Sequence, residues 1–231
     1  MTSVAENLAA VRERVAGTCL RVGRDPATVR IVAASKTQPA GAIREALAAG
    51  VDAIGENRVQ EAAAKRPLVR ERTSWHLIGP LQRNKARTAL ELFDVIETVD
   101  GTPLADRLES LLATGQREAT VLLEVNVGGE AQKNGVATAQ TPALVDHLLT
   151  HCRHLTLRGL MTVPPYDIDP EASRPHFVAL RRLAEALQLR FDLPPLDLSM
   201  GMSEDYAVAV EEGASWIRLG RALFGERHTT V

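Results

Sequence analysis

Short apolar runs alternate with helix-like segments along almost the whole of this chain, and that alternation restricts its fold more than any other feature. There are eight runs: Ile31–Ser35, Ala53–Gly55, Trp75–Ile78, Val95–Glu97, Val121–Val125, Leu157–Met161, Leu196–Ser199 and Trp216–Leu219. Helical periodicity fills the gaps, most clearly at Ala40–Ala49, Val59–Lys65, Pro103–Ala113, Pro142–His151, Ser173–Gln188 and Asp205–Glu212, with Asn84–Leu92 also helix-like. Pro103 and Pro142 each stand where a first helical turn tolerates a missing N–H. Strand–helix–strand repetition predicts parallel pairing through right-handed crossovers. Eight such units in about 200 residues predict a (β/α)8 TIM barrel. The competing open sheet carries a glycine fingerprint in its first strand–helix turn. Here that turn reads Ser35-Lys36-Thr37-Gln38-Pro39, without glycine. An amphipathic helix precedes the first run, with Leu8, Val11, Val15, Leu20 and Val22 expected on its apolar face. No linker or composition break divides residues 1–231, so one α/β domain with an extra amino-terminal helix is expected.

Composition narrows the function classes. With 27 basic and 29 acidic residues the formal net charge is −2, which gives no footprint for nucleic acid or a membrane surface. Aromatics are 3% of the chain, so the core must be built from Ala, Val, Leu and Ile. Cys19 and Cys152 are isolated thiols, without disulfide or CxxC spacing. A reducing cytoplasm is the compartment expected of such a chain. The amino terminus lacks the basic and apolar regions of a signal peptide, and no apolar run approaches the length of a bilayer span.

In a barrel the carboxyl ends of the strands share one mouth, where sites are built. Lys36 ends the first run. A lysine amine at a partly desolvated strand end loses its proton more readily and becomes a nucleophile for carbonyl compounds; the alternative is a lysine that has simply entered solvent. Glu56 and Asn57 follow the second run, His76 lies in the third, Asn126 follows the fifth and Met161 closes the sixth. Ser199-Met200-Gly201-Met202-Ser203 follows the seventh, and Gly220-Arg221 follows Arg218 and Leu219 of the eighth. Loops after the last two strands of a barrel commonly bind phosphate, and these supply small residues, backbone N–H groups and hydroxyls. Arg218 alternates with Ile217 and Leu219, so its side chain can enter the mouth. Two roles are open to it: facing a ring nitrogen, or pairing with an internal carboxylate. His76 reads as a structural histidine. His147 and His151 have an i, i+4 spacing but no glutamate follows the first, so they do not form the HExxH metal motif and read as surface residues.

These residues, in this order, resemble the pyridoxal phosphate homeostasis protein family. The matching stretches include Val32–Thr37, Gly55-Glu56-Asn57-Arg58-Val59-Gln60-Glu61, Trp75-His76-Leu77-Ile78-Gly79-Pro80-Leu81-Gln82-Arg83-Asn84-Lys85, Lys133-Asn134-Gly135, Arg158-Gly159-Leu160-Met161, Ser199–Ser203 and Arg218–Gly225. The resemblance implies a barrel like the amino-terminal domain of alanine racemase. It implies pyridoxal 5′-phosphate held as a Schiff base on Lys36, its phosphate gripped by Ser199, Met200, Gly201, Ser203, Gly220 and Arg221. Arg218 would face the pyridine nitrogen, and Asn57 and His76 would line the mouth. It also implies a role in vitamin B6 and amino-acid homeostasis, as a cofactor carrier or regulator, with apo-enzymes as the partners that receive the cofactor; the lack of an added domain leads us to expect a monomer. Two positions depart from the pattern: Arg221 replaces a small hydroxyl residue, and Gln38 replaces a second lysine. The few residues after the eighth run are too short for the added domain of a racemase, and Tyr166 and Tyr206 are not obvious partners for Lys36. A weak amino-acid racemase is therefore the second reading, and a cofactor-free Schiff-base aldolase the third.

Overall fold

The computed structural model describes residues 2–130 and 132–225. Its strands are β1 (Arg30–Ala34), β2 (Ala53–Glu56), β3 (Ser74–Leu77), β4 (Val95–Val99), β5 (Ala119–Asn126), β6 (Val136–Ala137), β7 (Leu155–Met161), β8 (Asp197–Ser199) and β9 (Trp216–Leu219). All pair in parallel, in the order β4-β3-β2-β1-β9-β8-β7-β5, and β5 pairs again with β4. Eight strands thus close into the expected barrel. The two-residue β6 pairs with β5 alone at Val125 and Asn126; it is too short to leave a period in the sequence.

Helices α1 (Val4–Arg21), α2 (Ala40–Ala49), α3 (Val59–Lys65), α4 (Ala86–Leu92), α5 (Thr102–Gly115), α6 (Thr141–His151), α7 (Arg174–Phe191), α8 (Tyr206–Glu211) and α9 (Arg221–Phe224) connect or flank the strands. The first begins with a capping box, in which the Glu6 N–H donates to the Ser3 hydroxyl and the Ser3 N–H to the Glu6 carboxylate. Its buried face differs from the expected one. Leu8, Val11, Val15, Thr18 and Cys19 are buried, whereas Leu20 is 74% exposed and Val22 42%. At 100° per residue Leu20 falls well off the stripe that Cys19 continues, and Val22 lies beyond the last helical turn.

Outward strand positions such as Ile31, Ile54, Trp75, Ile96, Leu123, Leu160 and Ile217 join the helices in one apolar layer. The inward positions are different. Only Val32, Ala53 and Trp216 form a small apolar cluster inside, with Ile78 against it. Leu122 and Met161 are buried here too, but several inward positions are polar, and hydrogen bonds between strands that are not neighbours show it. Glu97 on β4 accepts from Ser199 on β8, and His76 on β3 packs its ring 4.9 Å from that of Trp216 on β9. At the amino ends of the strands Arg30 pairs with Asp197 at 2.9 Å and stacks over Trp216. Barrel interiors are usually filled by branched apolar side chains. This one instead carries a hydrogen-bonded polar column, His76–Glu97–Ser199–Arg218, that leads to its mouth. None of the helices among the described residues is long and apolar enough to cross a membrane.

Candidate functional site

Lys36 lies on the turn that follows β1, and that turn is fastened from outside the barrel. Thr37 has a positive φ of 66°, an uncommon conformation for a β-branched residue. Its N–H donates to Glu61 at 3.1 Å. The Ser35 hydroxyl donates to Glu56 at 2.7 Å, and Lys65 Nζ donates to both the Ser35 carbonyl (2.9 Å) and the same Glu56 oxygen (2.7 Å). Burial works against the Glu61 charge, but the Thr37 N–H and Lys65 outweigh it and hold its carboxyl below the ordinary range. Glu56 is fully buried in this clamp, so it faces away from the mouth where the sequence placed it. Inward and outward positions alternate along β2, with Gly55 inside and Glu56 outside.

Arg218 is fastened from within. Its Nη1 donates to the Ser199 hydroxyl and its Nη2 to the Thr162 carbonyl, each at 2.8 Å. Ser199 in turn donates to Glu97, whose other oxygen lies 2.6 Å from His76 Nδ1. Burial alone would raise the Glu97 carboxyl; the His76 hydrogen bond and charge, Arg218 and Ser199 together hold it low. An ionised Glu97 is an acceptor only, so His76 Nδ1 donates in this contact. Of the two roles open to Arg218, the internal carboxylate is present, reached through Ser199, while part of the side chain still borders the cavity.

The loops after β8 and β9 are tied together. The Arg218 N–H donates to the Gly201 carbonyl and the Ala222 N–H to the Ser203 hydroxyl. Gly201 has φ +94°, and a Cβ there would stand 2.5 Å from that of Ala209, so both conformation and space require glycine. Gly79 is required for a different reason: the chain after β3 passes directly over the backbone of Asn57.

These elements enclose a cavity of about 610 Å³ at the carboxyl ends of the strands. Lys36, Asn57, Ser203, Arg218, Gly220 and Arg221 all line it. Met200 and Ser199 are fully buried, His76 nearly so, and none of these three borders the cavity, nor does Gly201. Ser199 and His76 act through the polar column, and Met200 belongs to the apolar layer. Gln38, Tyr166 and Glu204 also line the cavity. Nothing in the sequence pattern places Glu204 there, and Tyr166 lines the cavity although it is not an obvious partner for Lys36 from sequence. Tyr166 follows Pro164-Pro165, and Pro165 leans against Gly128, where an added Cβ would stand 3.2 Å from it. Arg221 pairs with Glu204 at 2.8 Å on the rim. Beneath the mouth Glu124 is pushed up to about 7, chiefly by burial and then by the charge of Asp100, against the pull of Arg218. One of its oxygens has no hydrogen-bond partner, and neither does the side-chain oxygen of Asn57. A larger groove of about 740 Å³ lies at the other end, between Arg44, Asp52, Arg72 and Asp94, and contains none of these groups.

Comparison with known proteins gives the family and the fold. Residues 3–228 match the family "Alanine racemase, N-terminal domain". A pyridoxal phosphate homeostasis protein of Pseudomonas aeruginosa is 43% identical over 228 residues, covering 98% of this chain and 97% of the relative. The chain belongs to the pyridoxal phosphate homeostasis protein family. The structure of PipY from Synechococcus elongatus with PLP bound superposes at a TM-score of 0.83, with 38% identity over 96% of this chain and 100% of PipY. An alanine racemase of Clostridium difficile covers 99% of this chain and 57% of its own at a TM-score of 0.75. At 13% identity that likeness shows the shared barrel alone.

Proposed function

We propose that this chain binds pyridoxal 5′-phosphate in the cavity around Lys36 and serves vitamin B6 and amino-acid homeostasis as a carrier or regulator of the cofactor. The observation that carries the reading is the meeting of a lysine amine, a buried guanidinium and two linked small-residue loops in one cavity. Those groups fit the cofactor's aldehyde, ring and phosphate. The partnerless Asn57 oxygen adds a polar atom that a ligand would satisfy. When bound, the cofactor supplies an electrophilic aldehyde and a ring that withdraws electrons. The chain's part is to hold it: Lys36 as the covalent attachment point, Arg218 beside the ring nitrogen, and Ser203, Gly220 and Arg221 around the phosphate. Ser199, Met200 and Gly201 support that phosphate loop, and His76 supports Arg218. A guanidinium keeps its proton and leaves the ring nitrogen without one, which weakens the ring as an electron sink. That favours carrying over catalysis. Apo-enzymes are the recipients, and one 1–231 unit acts as a monomer in the cytoplasm.

Incubation with pyridoxal phosphate, borohydride reduction and peptide mapping tests the reading. A phosphopyridoxyl mass confined to Lys36 supports it, whereas no adduct, or label scattered over surface lysines, sinks it. One observation favours the racemase reading: Tyr166 lines the cavity with Lys36 and offers a second hydroxyl acid. Loss of optical rotation from an enantiopure amino acid, abolished in both Lys36→Ala and Tyr166→Phe, would establish that activity.

A further inference from the structure

Three of the six histidines of the chain, His147, His151 and His154, fall on α6 and the turn after it, far from the mouth in sequence and in role. His147 and His154 meet α5, which contributes Asp106 and Glu109. Glu109 is already engaged, accepting from the backbone N–H groups of Arg153 and His154 and from the His154 ring. Asp106 and His147 are different. The Asp106 carboxylate lies 2.6 Å from His147 Nε2, and one ligand atom each of Asp106, His147 and Cys152 all fall within 4.8 Å of one another. The His147 ring is held in place by stacking on His151, 4.7 Å between centroids and 15° between planes.

We propose that Asp106, His147 and Cys152 form a site for a borderline divalent metal ion, Zn2+ or one of similar preference, that ties α5 to α6 on the outside of the barrel. Oxygen, nitrogen and sulfur donors in one cluster are the set such an ion takes, and three protein ligands leave the fourth position to water. Zn–ligand bonds of roughly 2.0–2.3 Å place tetrahedral ligand atoms about 3.3–3.6 Å apart. The histidine–carboxylate contact must open, and the sulfur must close in by at most about 1 Å, to reach that geometry. Asp106 has a side chain 59% exposed and can make that adjustment. A carboxylate and a thiolate together balance the charge of the ion. Burial, with the charges of Glu109 and then Asp106, pushes the free thiol up to about 11, so it carries its proton at neutral pH. Metal binding therefore forms a metal–sulfur bond and releases the thiol proton to solvent, with no change of oxidation state. The inference stands apart from the cofactor reading and does not depend on it.

Titration of the full chain with Co2+, with absorbance and pH recorded together, tests it. The expected result is a thiolate-to-metal charge-transfer band that saturates at one ion per chain, the release of about one proton, and displacement by Zn2+. Cys152→Ser should remove the band. His147→Gln changes a half-buried side chain at the helix surface, and it should weaken Zn2+ binding at least about tenfold with an unchanged circular dichroism spectrum. Absence of the band, a band that survives Cys152→Ser, or equal Zn2+ affinity in His147→Gln would each overturn the proposal.

Discussion

Lys36 and Arg218 line the same cavity but are held by opposite means. The Lys36 turn is irregular, with a positive φ at Thr37, and its fastening is a clamp of Glu56, Glu61 and Lys65 lying outside the barrel. Arg218 belongs to a regular strand, and its fastening is the Ser199–Glu97–His76 chain that crosses the interior. The first arrangement suits an amine that must change partners as a ligand comes and goes. The second fixes a charge where no water can substitute for its hydrogen bonds, so losing a partner is far more costly. Breaking the two supports one at a time should therefore separate binding from stability.

The largest effect is expected at Glu97. Glu97→Ala leaves the Arg218 charge buried without compensation and should cost about 4 kcal/mol of stability, read from the midpoint of urea unfolding. Glu97→Gln preserves shape and should cost less. Glu124 comes next. Its carboxyl is raised to about 7 in the folded chain, against an ordinary 4.5, so the folded state holds a proton that the unfolded state gives up. Stability should then fall as pH rises from about 4.5 to 7 and stay low above that, by roughly 3 kcal/mol in total. Glu124→Gln should abolish that slope and be the more stable protein at pH 8. An unchanged slope in the variant would mean that Glu124 is not the titrating group.

The two supports also differ in how far the sequence revealed them. The barrel was readable because its outward strand positions are apolar and recur with helices between them, a local pattern that needs no knowledge of contacts. Lys36, Arg218 and the loops at Ser203 and Gly220 were readable because strand ends converge in any barrel. The polar column was not. Glu97, Glu124 and His76 each look like an isolated polar residue within a strand, and only closure of β4 on β5 brings Glu97 across to Ser199. Glu56 was misplaced for a related reason: the position after a glycine in a short strand faces outward here, toward Lys65 on α3. Tyr166 depends on a proline-directed loop whose course no periodicity encodes.

The outer clamp predicts a smaller loss of stability and a larger loss of chemistry. Lys65→Met leaves the buried Glu56 with the Ser35 hydroxyl but no counter-charge, and the lysine is 13% exposed so water can partly replace it; about 2 kcal/mol is expected. The phosphopyridoxyl yield at Lys36 should fall several-fold in this variant, because the Ser35 carbonyl loses its anchor. In Glu97→Gln the yield at Lys36 should hold while the affinity falls. If both variants lose yield equally, the supports are one network rather than two.

The smallest effect on stability is expected at the rim, where Arg221 and Glu204 pair with side chains 51% and 39% exposed. Exposed pairs contribute little, so Arg221→Ala should move the unfolding midpoint by no more than about 0.5 kcal/mol. Its effect on binding should be confined to ligands that carry a phosphate. Pyridoxal phosphate should bind up to about tenfold more weakly, equivalent to roughly 1.4 kcal/mol, while pyridoxal binds as before. Glu204→Gln frees the guanidinium from its present partner and should act in the opposite direction. Equal changes for the two ligands would place Arg221 outside the phosphate contacts. A phosphate-specific loss would show that this chain has exchanged a hydroxyl inside the anion site for a charge at its edge, where screening by salt should weaken binding more than it weakens the interior grip of Arg218.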